Sequence, residues 1–181
     1  MDYNFKYYGR IDISSICNLI ENTELDWDEY EFRQKTYLAH SKTKTIPLIF
    51  DETFQSTDSI WKSYEIFKVS LAEIENNLID FMGEGKIEVA LLINLPKNQK
   101  ILPHLDSDEH FLKTRRIHIP ILTNDKCNFR VDSEIVQMKQ GEIWEINNAH
   151  KVHGVINNGD TDRIHLLIDY KTSDKKTKTL L

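Results

Sequence analysis

The chain has 181 residues, 40% of them hydrophobic, enough for one domain with a real core. Its 23 basic and 29 acidic residues leave a net charge of −6, which argues against a broad nucleic-acid or anionic-membrane surface. No apolar run is long enough to span a bilayer, the first residues lack the basic-then-apolar order of a signal peptide, and Cys17 and Cys127 sit in no motif and read as buried thiols, so the cytosol is the expected compartment.

Residues 4–8 form a short aromatic run that fits a strand. Asp12, Ser14 and Ser15 offer N-caps for a helix whose apolar face would hold Ile13, Cys17, Leu19 and Ile20. Residues 25–37 are charged and aromatic and fit no single period. Residues 45–50 read as a strand, with Pro47 near its start or on an edge. Phe67, Leu71, Ile74, Leu78 and Phe81 recur at helical spacing and predict a helix over 62–82, stopped by Gly83-Glu84-Gly85. From residue 86 onward the pattern is that of strands: 87–95, 101–106, 115–122, 128–132, 135–138, 142–146, 152–157 and 163–170. Turn signals separate them at 123–125, 132–133, 140–141 and 157–160. Helices first and strands after predict a mostly β (α+β) fold, a cupin-like jelly roll with N-terminal helices packed on one face. We expect a single domain over 1–181: helical, substrate-side support in 1–85, a β-core in 86–170 and a solvated, lysine-rich tail in 171–181.

The chemistry concentrates in the β-core. His104 and Asp106 are two residues apart, a spacing that on a strand points both side chains the same way. A distant histidine, His153, completes a two-His-one-carboxylate set, which suits non-heme Fe(II) oxygenases and leaves the other positions on the ion open. Asp108 is the rival carboxylate and His150 the rival histidine. Arg163, past a turn, has the fork that grips a carboxylate. Arg116 and His118 share one face of their strand, and Arg163 and His165 repeat the arrangement on the last strand. Buried cations there require an anion, and a dicarboxylic ligand would supply it. Arg115 reads as solvent-facing, His165 as a satisfied core histidine and Trp144 as core.

Taken in order, Pro-His-x-Asp (103–106), Arg-x-His-Ile-Pro (116–120), Gly-Glu-x-Trp-x-x-Asn-Asn (141–148), His-x-Val-x-Asn (153–157) and Asp-Arg-Ile-His-Leu-x-x-Asp (162–169) resemble the aspartyl/asparaginyl β-hydroxylase-like 2-oxoglutarate/Fe(II) dioxygenases. The metal motif looks most like that of bacterial proline hydroxylases in the same superfamily. The resemblance covers residues 86–170 well, and 27–34 and 43–46 more loosely. It implies a double-stranded β-helix in which His104, Asp106 and His153 bind Fe(II). Arg163 would hold the distal carboxylate of 2-oxoglutarate, with Arg116 and His118 near the carboxylate at the metal end and Asn94 as a further cosubstrate contact. It also implies an enzyme that consumes O2 and 2-oxoglutarate, releases succinate and CO2, and hydroxylates an amino acid or an amino-acid side chain in a peptide or protein. Arg33, His40 and Lys42 are the candidates to meet the substrate. The chain departs from the animal aspartyl hydroxylases in offering a metal carboxylate at all, and from the amino-acid hydroxylases in being shorter. The alternative is a non-catalytic, cupin-like ligand-binding or structural jelly roll. The sequence gives no sign of a nucleic-acid or membrane partner and leaves the oligomeric state open.

Overall fold

The strands at 44–49, 85–95, 115–122 and 163–172 are buried on both faces, because each face meets a separate layer. A computed structural model describes residues 3–56 and 59–173. Its strands are β1 (Phe5–Arg10), β2 (Lys44–Ile49), β3 (Gly85–Leu95), β4 (Gln99–His104), β5 (Arg115–Leu122), β6 (Cys127–Val131), β7 (Glu134–Val136), β8 (Glu142–Ile146), β9 (His153–Asn157) and β10 (Arg163–Thr172). The helices are α1 (Ser14–Asn22), α2 (Phe32–Thr36), α3 (Tyr64–Met82) and α4 (His110–Lys113), with a single 3-10 turn at Leu38–His40. The strands pair antiparallel into a six-stranded sheet, β1-β8-β5-β10-β3-β2, and a four-stranded sheet, β4-β9-β6-β7. Two facing antiparallel sheets of this kind are the double-stranded β-helix.

Strand β3 shows how the layers form. Ala90 and Leu92 point to one face and pack with Phe67, Leu71, Ile74 and Leu78 of α3. Val89, Leu91 and Ile93 point to the other and pack with Tyr30, Phe50 and Leu167. Burying one such side chain fully stabilises the fold by roughly 1.5–3 kcal/mol. A further cluster, including Phe5, Leu95, Phe129, Val131, Ile146 and Val155, joins the sheets. Helix α3 ends where Gly83 takes a positive φ of 90° and its N–H reaches the Ile79 carbonyl at 2.8 Å.

Several boundaries differ from the sequence reading for identifiable reasons. In α1 the best-buried residue is Ile16, absent from the expected apolar face, while Cys17, Leu19 and Ile20 are only partly covered. Asp12 does cap the turn, its carboxylate accepting from the Ser14 N–H at 2.9 Å. Residues 1–85 contribute two strands to the larger sheet as well as helices. Lys171 and Thr172, expected in the tail, complete β10 by pairing with Lys86 and Gly85, whereas residues 174–181 lie outside the described residues. Strand β4 ends at His104, two residues earlier than expected.

Strand β9 lies close against β4 because residue 154 is glycine. A Cβ there would meet the Ile101 carbonyl oxygen at 3.0 Å and the Pro103 nitrogen at 3.2 Å. Gly154→Val should push the strands apart on both sides of His153 and destabilise the fold by about 1–3 kcal/mol in urea unfolding.

Candidate metal centre

His104 ends β4 and His153 begins β9, and the two residues are register partners across the smaller sheet. Their rings lie 4.2 Å apart between centroids. Each Nδ1 faces the carbonyl oxygen two residues earlier: Leu102 at 2.8 Å for His104 and Lys151 at 3.3 Å for His153. Donation of Nδ1–H to those carbonyls leaves both Nε2 lone pairs free as ligands. Asp106 supplies the third donor, and one ligand atom from each of the three lies within 4.8 Å of the others. His104 Nε2 stands 3.7 Å from Asp106 Oδ1, and His153 Nε2 stands 3.6 Å from Asp106 Oδ2. Asp108 and His150, the sequence alternatives, are exposed and stand outside the cluster.

Strand alternation does not place Asp106, which lies past the end of β4. Its N–H instead donates to the Asn148 carbonyl at 3.2 Å. Its Oδ2 accepts from Asn148 Nδ2 at 2.8 Å and from Arg116 Nη1 at 2.6 Å. Burial works against the Asp106 charge, but Arg116, His153 and Asn148 outweigh it and hold the carboxyl well below the usual carboxylate range. With Oδ2 occupied, Oδ1 is the oxygen left to bind a cation. Burial pushes His153 down to about 4, so it is neutral, its ligating form, at physiological pH.

Arg116 is fixed from its other side. Asp169, its register partner on β10, accepts from Nε at 2.8 Å and from Nη2 at 2.8 Å. The Phe111 ring lies under the guanidinium at 4.4 Å. Burial opposes the charge on Arg116, yet Asp169 and Asp106 raise it above the ordinary guanidinium range. Beyond Asp169 the network reaches His110 Nε2 at 3.0 Å, and His110 Nδ1 stands 3.8 Å from buried Glu88, which pairs with Lys171 at 3.2 Å. Arg116, placed by sequence near the cosubstrate, is therefore committed to two carboxylates.

Arg163 has no such partner. It is among the largest fully buried side chains, and among the described residues it forms no ion pair. Nη2 bonds His165 Nδ1 at 2.7 Å, Nε has no hydrogen-bond partner, and the guanidinium lies 5.6 Å from the Phe129 ring centre. Burial pulls it down to about 10, against the opposing influence of the neighbouring Cys127 thiol, so it stays charged at neutral pH. His118, with Nδ1 unpartnered, shares this narrow cleft with Arg163, His165, Phe129 and His153. His118 and His165 are held neutral by burial and by the Arg163 charge. A buried guanidinium without an ion pair, an imidazole nitrogen without a partner and apolar walls (Ile93, Val155, Leu167) around a cleft of about 30 Å³ suit the carboxylate end of a ligand with a methylene chain.

The remaining sequence candidates divide. Arg33 and His40 line both the inner cleft and an outer cavity of about 630 Å³, and His104 and Arg116 also border both spaces. Lys42 is exposed and borders neither space. Asn94 follows Ile93 and so points away from the cleft; its amide donates to Asp162 Oδ2 at 3.0 Å and steadies the turn that delivers Arg163. Arg115 is half-buried, donating to the Tyr8 hydroxyl at 3.1 Å. Trp144 packs edge-on against Phe5 at 6.2 Å between ring centroids, partly buried beside the inter-sheet core. Asn148, Asp169 and His110 had no assigned role. The first two stand in the quoted motifs, and a buried Asp two residues past Leu167 on the Arg163–His165 face was the available signal.

The fold and the site define a double-stranded β-helix carrying a two-His-one-carboxylate centre beside an unpaired buried arginine. Residues 18–173 match the aspartyl/asparaginyl beta-hydroxylase family, and the chain belongs to it. Solved structures share the fold. A 2OG-Fe(II) oxygenase family oxidoreductase from Burkholderia pseudomallei is 16% identical, with a TM-score of 0.56 over 73% of this chain and 69% of that one. A prolyl-4-hydroxylase from Pseudomonas putida is 9% identical, with a TM-score of 0.56 over 95% and 94% of the two chains. The viral collagen prolyl hydroxylase of Paramecium Bursaria Chlorella virus-1, solved as a 2OG complex, is 11% identical, with a TM-score of 0.53 over 95% and 98%.

Two outcomes follow from this geometry. Asp169→Asn removes the countercharge that aims Arg116, so calorimetric titration should show a divalent-metal affinity about 10–100-fold weaker, with the fold retained by circular dichroism. The buried neutral histidines His40, His118, His153 and His165 take up protons only on unfolding, so the unfolded state binds more protons as pH falls below the ordinary histidine value. The metal-free protein should therefore lose stability from pH 7.5 to 5.5, by about 1 kcal/mol per histidine, read as a falling thermal midpoint.

Proposed function

We propose that this protein is a 2-oxoglutarate- and Fe(II)-dependent dioxygenase that hydroxylates an amino acid or an amino-acid side chain. The observation that carries the reading is the pairing of three convergent metal donors with Arg163, buried without an ion pair among the described residues, in the adjoining cleft. Three donors suit Fe(II) and leave positions for a chelating cosubstrate and O2. When bound, the iron would supply O2 activation coupled to decarboxylation of 2-oxoglutarate to succinate and CO2, with a hydroxyl delivered to a C–H bond.

The residues of the chain do the positioning. His104, Asp106 and His153 hold the ion at the border between cleft and cavity. Arg163 binds the far carboxylate of 2-oxoglutarate, and its neutral neighbours His118 and His165 add polarity without a competing charge. The apolar cleft walls exclude water, which strengthens the Arg163–carboxylate attraction. Arg116 keeps Asp106 ionised and oriented. The outer cavity, open to solvent, receives the substrate beside the metal. The two free thiols accord with the cytosol as the compartment.

Arg163→Met should raise the 2-oxoglutarate KM at least tenfold while leaving metal affinity within about twofold, and Asp106→Ala should abolish metal binding, measured by succinate release and by calorimetry. Metal-loaded protein that releases no succinate with any amino acid or peptide, coupled or uncoupled, contradicts the reading.

A further inference from the structure

One buried cation near the metal centre lacks a countercharge in contact with it, and it borders the outer cavity. Arg116 is matched by Asp106 and Asp169. Glu88 is matched by Lys171. Under the dioxygenase reading, on which this inference rests, bound 2-oxoglutarate carries two negative charges into a site holding Arg163 and the iron. These charges cancel among themselves; of the other charged groups that line the outer cavity, Glu52, Asp108 and Arg33, the cation is Arg33, which has no ion-pair partner among the described residues.

Arg33 makes no ion pair among the described residues. Nη2 meets His40 Nε2 at 3.3 Å, and Nη1, sealed from solvent, has no hydrogen-bond partner. Burial and the nearby Arg116 charge pull its pKa down, against Asp106, Tyr30 and Asp169, and an anion in direct contact would relieve it further. His40 Nδ1 is likewise buried and unpartnered. His40 packs edge-on against the metal ligand His104 at 4.7 Å between centroids, so an anion at Arg33 lies next to the metal. Both unsatisfied groups border the outer cavity.

The rest of that cavity is mixed: Glu52, Thr53, Ser107 and Asp108 border it together with a continuous set of apolar side chains. Its deep wall holds Val89, Leu91, Phe50, Phe54 and Phe111, and its rim carries the exposed side chains of Tyr37, Leu38 and Leu105. At about 630 Å³ it is several times the size of a proline or a glycine and falls in the range of a drug-sized ligand. A backbone amide lying on the aromatic part of this wall would find no hydrogen-bond partner on the rings. A small molecule that enters carboxylate-first leaves only its apolar body there.

We infer that the substrate is a small-molecule monocarboxylate with a bulky aromatic or branched apolar body, a free amino acid of that kind included, anchored by its carboxylate on Arg33 beside the metal. The test is calorimetric titration of the Mn(II)- and 2-oxoglutarate-loaded protein with 3-phenylpropionate, its uncharged isostere 3-phenylpropanamide, acetate and a blocked Gly-Asp-Gly peptide. Wild type should bind 3-phenylpropionate at least tenfold more tightly than each of the other three. Arg33→Met should reduce the acid to the level of the amide while changing 2-oxoglutarate affinity less than threefold. Equal binding of acid and amide, tighter binding of the peptide, or an Arg33→Met variant that loses 2-oxoglutarate and keeps the acid preference would overturn the inference. Should Arg33→Met fail to fold, the wild-type comparison decides alone. Binding is read without turnover, so the two readings fail separately. An Arg33-dependent acid preference without succinate release removes the dioxygenase and keeps the site, and succinate release without the preference does the reverse.

Discussion

The buried guanidinium of Arg116, gripped by Asp169 on one side and Asp106 on the other, is the interaction on which the metal centre depends. A charge taken out of water is costly, and a single ion pair in the interior often fails to offset the cost. Here the guanidinium donates to both carboxylates, and Phe111 covers its face. The arrangement fixes Asp106 where no strand does. It also selects the oxygen that remains for a cation, because Arg116 and Asn148 both occupy Oδ2.

The same residue explains the division of labour among the arginines. One strand register places Arg116 opposite Asp169 and His118 opposite Leu167, so two positions along β5 the environment changes from charged to apolar. Arg163, on the β10 face that ends in Asp169, has only neutral imidazoles, a thiol and Phe129 around it. Arg33, from the segment preceding β2, stands between the two spaces with one nitrogen unused. One arginine is committed to structure, and two remain available to anions.

Much of this was legible in the sequence. Period-two runs and turn residues locate β5 and β8 to the residue and the other strands of the β-half to within two at each end. The motifs point to His104, Asp106, His153 and Arg163. What was not legible has physical causes. Placement of Asp106 rests on hydrogen bonds from residues 10 and 42 positions away, and local spacing cannot encode them. Residues 25–37 fit no single period because Tyr30 pairs in an isolated bridge with Thr45 and the regular structure that follows is a five-residue helix, Phe32–Thr36, too short to show one. Asn94 was placed near the cosubstrate by its neighbourhood in sequence, but alternation turns it to the other face of β3. Ile16 is missing from the expected face of α1 although its spacing to Ile13 (i+3) and Ile20 (i−4) puts it there, so for this residue the sequence did hold the signal.

The account stands on a shared ion between β4 and β9, and X-ray absorption of the Fe(II)-loaded protein tests this most directly. The account predicts a first shell with two imidazoles, one of which disappears in His153→Ala, while His150→Ala leaves the spectrum unchanged. A spectrum insensitive to His153→Ala, or one that loses an imidazole in His150→Ala, would contradict it.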